Sequence, residues 1–196
     1  MLREPLSYSR ILSVTAVKNY VLCPLIPWIQ ARHGLHEDPT ISMETGRMSA
    51  EEKMEIAEKL GLPRPYVVEK RLYSARLGLA GTVDLIAGRR SLVVLEAKRY
   101  RRRRRLSRHF IAQLMVYALL VNDIVGPVRE AILYLGGSVL RFQVTGEWLA
   151  EAERLVRAAW RAVSSEQPPR SSVPARLCRQ CWYRRVCPRM AETVLF

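Results

Sequence analysis

Two acidic residues stand inside otherwise apolar, strand-like runs: Asp84 in Gly81-Thr82-Val83-Asp84-Leu85-Ile86, and Glu96 in Val93-Val94-Leu95-Glu96-Ala97-Lys98. A carboxylate on a buried strand is costly unless it is paired, hydrogen-bonded or bound to a cation. These two positions therefore restrict the folds open to the chain more than any other feature. A short turn at Gly88 to Ser91 joins the two runs. An antiparallel hairpin centred there sets Asp84 opposite or diagonal to Glu96, with Cβ atoms about 5 Å apart if directly opposed. Glu96 and Lys98 are two residues apart and emerge on the same face. Two carboxylates and a lysine are thus predicted to converge at one end of one sheet.

Such a set suits phosphodiester hydrolysis. Carboxylate oxygens hold Mg²⁺ or Mn²⁺, which orients a phosphate and lowers the pKa of a bound water. Asp84 and Glu96 are the expected metal ligands, with the carbonyl of Ala97 as a further oxygen. Lys98 would orient the attacking water or offset charge on the transition state. The bland alternative is a cross-strand salt bridge at a sheet edge, and Asp-x11-Glu-x-Lys alone does not decide between the two.

The surroundings of the pair predict an α/β chain. Val14 to Gln30 is apolar and helical at first, with Ser13 or Thr15 as N-cap, and Pro24 and Pro27 interrupt it just after Cys23. A helix follows from Ser49 to Leu60, with Ser49 and Glu52 as a capping box and Gly61 closing it. Tyr66 to Tyr73, Leu77 to Ala87 and Leu92 to Lys98 read as an antiparallel meander. Helical spacing returns from Ser107 to Val121. A hairpin is expected from Ala131 to Leu135 and Val139 to Val144 around Gly136-Gly137, then a helix from Glu147 to Val163. This order predicts a sheet with helices on both faces. At 196 residues the chain is expected to form a single domain.

Charge narrows the partners. Thirty-two basic against 18 acidic residues leave a net charge of +14, and a surface that basic calls for a polyanion. Arg99, Arg101, Arg102, Arg103, Arg104 and Arg105 crowd into seven residues around Tyr100. They follow the Lys98 strand directly, where a nucleic-acid backbone would approach; Tyr100 is placed to stack on a base. No apolar run approaches the roughly 20 residues of a membrane span. Met1 to Arg10 lacks a signal-peptide core. The expectation is a soluble, cytoplasmic protein without a membrane partner.

The four cysteines are Cys23, Cys178, Cys181 and Cys187. Three crowd near one end and the fourth is more than 150 residues away, so a shared four-thiolate shell requires the two ends of the chain to meet. Four thiolates suit zinc as well as an iron–sulfur cluster.

Gly81-x-x-Asp84, Glu96-x-Lys98 and a helix bearing Gln113-x-x-x-Tyr117 together resemble the RecB-like branch of the PD-(D/E)xK nucleases. Tyr20-x-x-Cys23-Pro24 and Cys178-x2-Cys181-x5-Cys187-Pro188 resemble the one-plus-three arrangement of its iron–sulfur members. By size the chain resembles the stand-alone CRISPR-associated exonucleases along nearly its whole length. The resemblance implies a restriction-endonuclease-like mixed sheet, residues 66–145, flanked by helices within one nuclease domain, residues 1–196. It also implies that residues 14–30 and 171–196 clamp the termini around a 2Fe-2S or 4Fe-4S cluster on the four cysteines. Gln113 and Tyr117 would line the catalytic site. One departure stands out. The family's helical Gly-x3-His corresponds here to Gly46-Arg-Met-Ser-Ala50, and no histidine lies between His36 and His109. Water, Glu51, Glu52 or Glu69 would then complete the metal shell. The implied activity is trimming of single-stranded DNA ends for spacer acquisition, alongside the CRISPR integrase complex. The alternative is a catalytically weak DNA-binding scaffold whose cluster or zinc and basic loop hold DNA.

Overall fold

Valine, leucine, isoleucine and tyrosine run through residues 66–98 in three stretches, and each stretch becomes a strand. A computed structural model describes residues 11–38, 46–99 and 107–191. The chain starts with a two-residue strand, β1 (Leu12–Ser13), followed by helices α1 (Val14–Leu22), α2 (Leu25–His33) and α3 (Ala50–Lys59). The meander is β2 (Tyr66–Ser74), β3 (Leu79–Ala87) and β4 (Leu92–Lys98). Helix α4 (Arg108–Ile124) leads to a hairpin, β5 (Val128–Leu135) and β6 (Ser138–Gln143), and then to α5 (Gly146–Ser164). Short helical turns close the described chain: α6 (Ala175–Arg179), a 3-10 turn at Trp182–Arg185 and α7 (Pro188–Ala191).

The sheet is mixed. β2 pairs antiparallel with β3 on one side. On the other side of β3 lie β4, antiparallel, and the short β1, parallel. β4 runs parallel to β5, which pairs antiparallel with β6. A parallel neighbour needs a crossover, and α4 supplies it. The predicted architecture of a sheet with helices on both faces is the one formed. Among the described residues no helix is long and apolar enough to cross a membrane.

Side chains of β4 alternate between two cores. Val93, Leu95 and Ala97 join Leu85 and Ala87 beneath α3, against Ile56 and Ala57. Leu92 and Val94 join Ile86 in the larger core under α1, α4 and α5. β4 is buried from Leu92 to Ala97, as parallel-paired strands covered on both faces are. Each fully buried Val or Leu there stabilises the fold by about 1.5–3 kcal/mol.

Local signals explain the helix ends. The Ser13 side chain caps α1 by accepting from the Ala16 N–H, and the predicted capping box forms with both of its bonds between Ser49 and Glu52. Gly61 follows the end of α3 with φ of 64°. Pro24 separates α1 from α2, but Pro27 does not interrupt anything. It lies in the first turn of α2, where a missing N–H costs nothing because those donors have no intrahelical acceptor. β1 was not expected from sequence; two residues carry no readable alternation.

Candidate active site and cysteine cavity

β3 and β4 are paired at Leu85–Leu95, Ile86–Val94 and Ala87–Val93, and the ladder stops there. One step further along the same register stand Asp84 and Glu96. Here a side chain takes over from the ladder: Asp84 Oδ2 accepts the N–H of Ala97 at 2.9 Å. The other Asp84 oxygen, Oδ1, meets the Lys53 ammonium of α3 at 3.0 Å. Lys98 Nζ lies 2.5 Å from Glu96 Oε1. Asp84, Glu96 and Lys98 are therefore brought together. Ala97 contributes its N–H to Asp84 and its methyl to the core beneath α3.

Burial controls the electrostatics. Glu96 is 2% exposed, and its carboxyl is pushed up to about 7, first by burial and then by the like charge of Asp84, with Lys98 pulling the other way. Burial works against the Lys98 ammonium, but Glu96 and Asp84 outweigh it and hold the lysine above its ordinary value. Tyr117 of α4 is raised by burial and by the nearby Glu96 charge, so its hydroxyl stays protonated. Gln113 lies one helical turn earlier on the same face and partly offsets that rise. Gln113 is 5% exposed, and its Oε1 is a buried oxygen without a hydrogen-bond partner among the described residues.

Two cations escaped the sequence reading. Lys53 is 5% exposed and bonds Glu69 Oε1 at 2.9 Å as well as Asp84. Burial works against its charge, yet Glu69 and Asp84 together keep its pKa raised. Its signal was present: Lys53, Ile56 and Ala57 fall on one helical stripe, so the lysine sits where an apolar residue belongs. Lys18 of α1 is half-buried; its pKa is lowered by burial and then by Lys98, so it flanks the same site. Of the acids considered as extra metal ligands, Glu52 is committed to the capping box and to Arg99 at 2.7 Å. Glu69 alone is tied to Asp84, through Lys53.

Arg99 bonds Glu52 and approaches the Arg47 carbonyl at 3.4 Å, so its side chain is engaged within the protein. Tyr100, Arg101, Arg102, Arg103, Arg104 and Arg105 lie outside the described residues.

The cysteines lie far from the acid pair in sequence and close to one another in space. None is disulfide-bonded. Cys23, at the end of α1, lines a cavity of about 300 Å³ together with Cys178, Cys181 and Cys187. Cys23 Sγ lies 3.3 Å from Ser171 Oγ. The Cys181 thiol is pushed up by burial and by the other three sulfurs, against a backbone hydrogen bond from Tyr183. Leu25, Ile26, Trp28, Ile29 and Tyr183 form a separate small core beside the cavity. Tyr183 is 3% exposed and its hydroxyl accepts from Gln30 Nε2 at 2.7 Å and from the Glu37 N–H at 3.2 Å. Trp182 is exposed instead.

Asp84, Glu96 and the unpartnered Gln113 oxygen are hard oxygen donors, the kind Mg²⁺ and Mn²⁺ take; four thiols in one cavity fit a soft metal or a cluster. Among the described residues, no three His, Cys, Asp or Glu side chains are gathered tightly enough to form a ready-made metal cage. At the acid pair the protein offers two carboxylates.

Comparison with known proteins bears on the family and the fold. The family model of the PD-(D/E)XK nuclease superfamily matches residues 41–188, a span holding Lys53, Asp84, Glu96, Lys98, Gln113, Tyr117 and three of the four cysteines. The chain is 29% identical over 185 residues to the CRISPR-associated exonuclease Cas4 of Thermoproteus tenax, covering 91% of this chain and 94% of that protein. Its fold is similar to the crystal structure of SSO0001, with a TM-score of 0.56 and 15% identity over 94% of this chain and 89% of that one. It is also similar to an alkaline exonuclease of Laribacter hongkongensis, with a TM-score of 0.51 and 14% identity over 79% of this chain and 88% of that one. At such identities these two structures speak to fold alone.

Proposed function

The chain belongs to the PD-(D/E)XK nuclease superfamily, and on that footing we propose that it is a Mg²⁺- or Mn²⁺-dependent deoxyribonuclease that trims single-stranded DNA ends. The observation that carries this is the register-matched pair Asp84 and Glu96 at the point where β3 and β4 part, with Lys98 2.5 Å from Glu96.

Asp84 and Glu96 would hold the divalent ion, with the Ala97 carbonyl as a further donor; when bound, the ion supplies Lewis-acid charge at the scissile phosphate and lowers the pKa of a water. Lys98, partly exposed, carries positive charge to where negative charge builds on the phosphate oxygens and can orient the attacking water. Tyr117, kept protonated, can donate a hydrogen bond into the site, and Gln113 positions it. Of the basic run Arg99 to Arg105, Arg101 to Arg105 would track the DNA backbone by neutralising phosphates, with Tyr100 stacking on a base, while Arg99 is held by Glu52.

The four cysteines, in this reading, hold an iron–sulfur cluster that clamps residues 14–30 to residues 171–196 within one nuclease domain. The four cysteines share the lining of one cavity of about 300 Å³, which leaves room for a multi-atom cluster. The similarity to a CRISPR-associated exonuclease supports a role in spacer acquisition, beside the CRISPR integrase complex in the cytoplasm. The Lys53–Asp84 ion pair favours a second reading, a catalytically weak DNA-holding module, because a resident cation already occupies one metal ligand. A nuclease assay on 5′- and 3′-labelled single strands with Mg²⁺, Mn²⁺ or EDTA separates the two. Metal-dependent shortening supports the enzyme, and tight binding without cleavage supports the module.

A further inference from the structure

Lys53 is buried and reaches two carboxylates at once. Its ammonium is 3.0 Å from Asp84 Oδ1 and 2.9 Å from Glu69 Oε1. Asp84 Oδ2 is already taken by the Ala97 N–H, so Lys53 holds the oxygen that a divalent ion would claim. A buried ammonium cannot simply be abandoned by its partner, because an unpaired charge in the interior is costly. It needs somewhere to go.

Glu69 provides that place. The β2–β3 ladder pairs Val68 with Leu85 and Lys70 with Val83, and Glu69 stands between these pairs, level with Asp84. Its φ of 51° is in the left-handed region, the only such value at a non-glycine residue among those described. A glutamate gains nothing locally from that conformation. Its carboxylate nonetheless meets the Lys53 ammonium, and its side chain is 55% exposed, so it is anchored to neither metal ligand and free to follow the lysine.

We propose that Lys53 is the resident cation of the site: it competes with the divalent ion for Asp84 and is drawn off that carboxylate by Glu69 when the ion binds. Lys53 and Glu69 are positioning residues that set metal affinity. This rests on Asp84 and Glu96 being the metal ligands, as proposed above. The ammonium moves as a cation and no covalent bond changes; at Asp84 a divalent ion takes the place of a single positive charge, and that charge stays paired with Glu69.

The test is Mn²⁺ binding, followed by the paramagnetic signal of free Mn²⁺, on the intact chain without DNA. Lys53→Met removes the competitor and should tighten binding at least about tenfold, since a unit charge so close to Asp84 opposes the ion directly. Lys53→Arg keeps the charge and should gain much less. Glu69→Gln leaves the lysine on Asp84 alone and should weaken binding several-fold. In the Lys53→Met background the same Glu69→Gln change should have no effect, because Glu69 acts only through the lysine. Lys53→Met should also melt at a lower temperature without metal and recover more than the unmodified protein when Mn²⁺ is added. Glu69 is at the surface, so its variant keeps the test readable even where Lys53→Met folds poorly. Unchanged or weaker Mn²⁺ binding in folded Lys53→Met overturns the proposal. So does a Glu69→Gln effect that persists in that background, which would make Glu69 a metal ligand itself. Were Asp84→Ala to bind Mn²⁺ as well as the unmodified protein, the metal-site reading would fall and this inference with it.

Discussion

A Cβ added to Gly81 would lie 2.9 Å from Tyr117 Cε1 and 2.7 Å from Val14 Cγ2, so the helix bearing Gln113 and Tyr117 is seated directly on the strand that bears Asp84. Both neighbours are buried core residues and cannot swing aside. Gly81→Ala should destabilise the protein by about 1–3 kcal/mol through overpacking and lower nuclease activity by moving Tyr117 relative to Glu96. Thermal melts and single-turnover cleavage of the variant check both effects. An unchanged melting temperature would mean that α4 is not seated as described.

The raised pKa of Glu96 has a definite sign. Its folded value of about 7 stands above the ordinary 4.5, so its contribution to stability is fully present below the ordinary value and is lost as pH rises through about 7. The metal-free protein should therefore lose stability over that interval, and Glu96→Gln should not. Metal binding must expel the same proton. Mn²⁺ affinity should climb by up to about tenfold per pH unit below 7 and flatten above it. Titrations from about pH 5.5 to 8 read this directly, and a flat profile would remove Glu96 from the metal site.

Replacing Arg101 to Arg105 with Ser should weaken DNA binding at low salt and flatten the dependence of log K on log salt. The expected change is about 0.7 for each phosphate of a single strand that the run no longer neutralises. Binding measured at several salt concentrations checks it. An unchanged slope would show that the run does not touch nucleic acid.

Protein purified without oxygen should be brown and contain iron. Cys23→Ala should bleach the colour and lower the melting temperature, because the proposed cluster would close a loop of nearly the whole chain. By analogy with a disulfide, such closure removes unfolded-state entropy worth on the order of 4–5 kcal/mol. Iron and zinc analysis with thermal melts decides the matter. Stoichiometric zinc in colourless protein would make the clamp a zinc site, and full cluster content in Cys23→Ala would detach Cys23 from it.

The acid pair was legible because a hairpin's register is local: a turn at Gly88 to Ser91 and a period of two suffice to bring Asp84 level with Glu96. Glycine at position 81 also follows a pattern, although the reason for it, the close approach of Tyr117, depends on the distant helix Arg108–Ile124. Lys53 was missed because a lysine on an amphipathic helix is ordinarily solvated, and only its stripe with Ile56 and Ala57 marks it as buried. Nothing local could reveal that it reaches Asp84, since that pairing depends on how α3 packs over the sheet. The left-handed φ of Glu69 within β2 was equally invisible, because glutamate carries no preference for it. The meeting of Cys23 with the distant cysteines rests on packing between α2 and Tyr183, which composition and spacing do not encode.

The central claim is that Asp84 and Glu96 form the metal site of a nuclease, and the most direct measurement is cleavage of labelled single-stranded DNA by Asp84→Ala with Mg²⁺ or Mn²⁺ present. The variant should keep its fold by circular dichroism and its affinity for DNA, while cleavage falls by on the order of 10²–10³-fold or more, the scale of losing a principal electrostatic contributor. Glu96→Ala should behave alike, and Lys98→Ala should lose most of the rate with less effect on metal affinity. A well-folded Asp84→Ala protein that cleaves DNA at the unmodified rate would contradict the account.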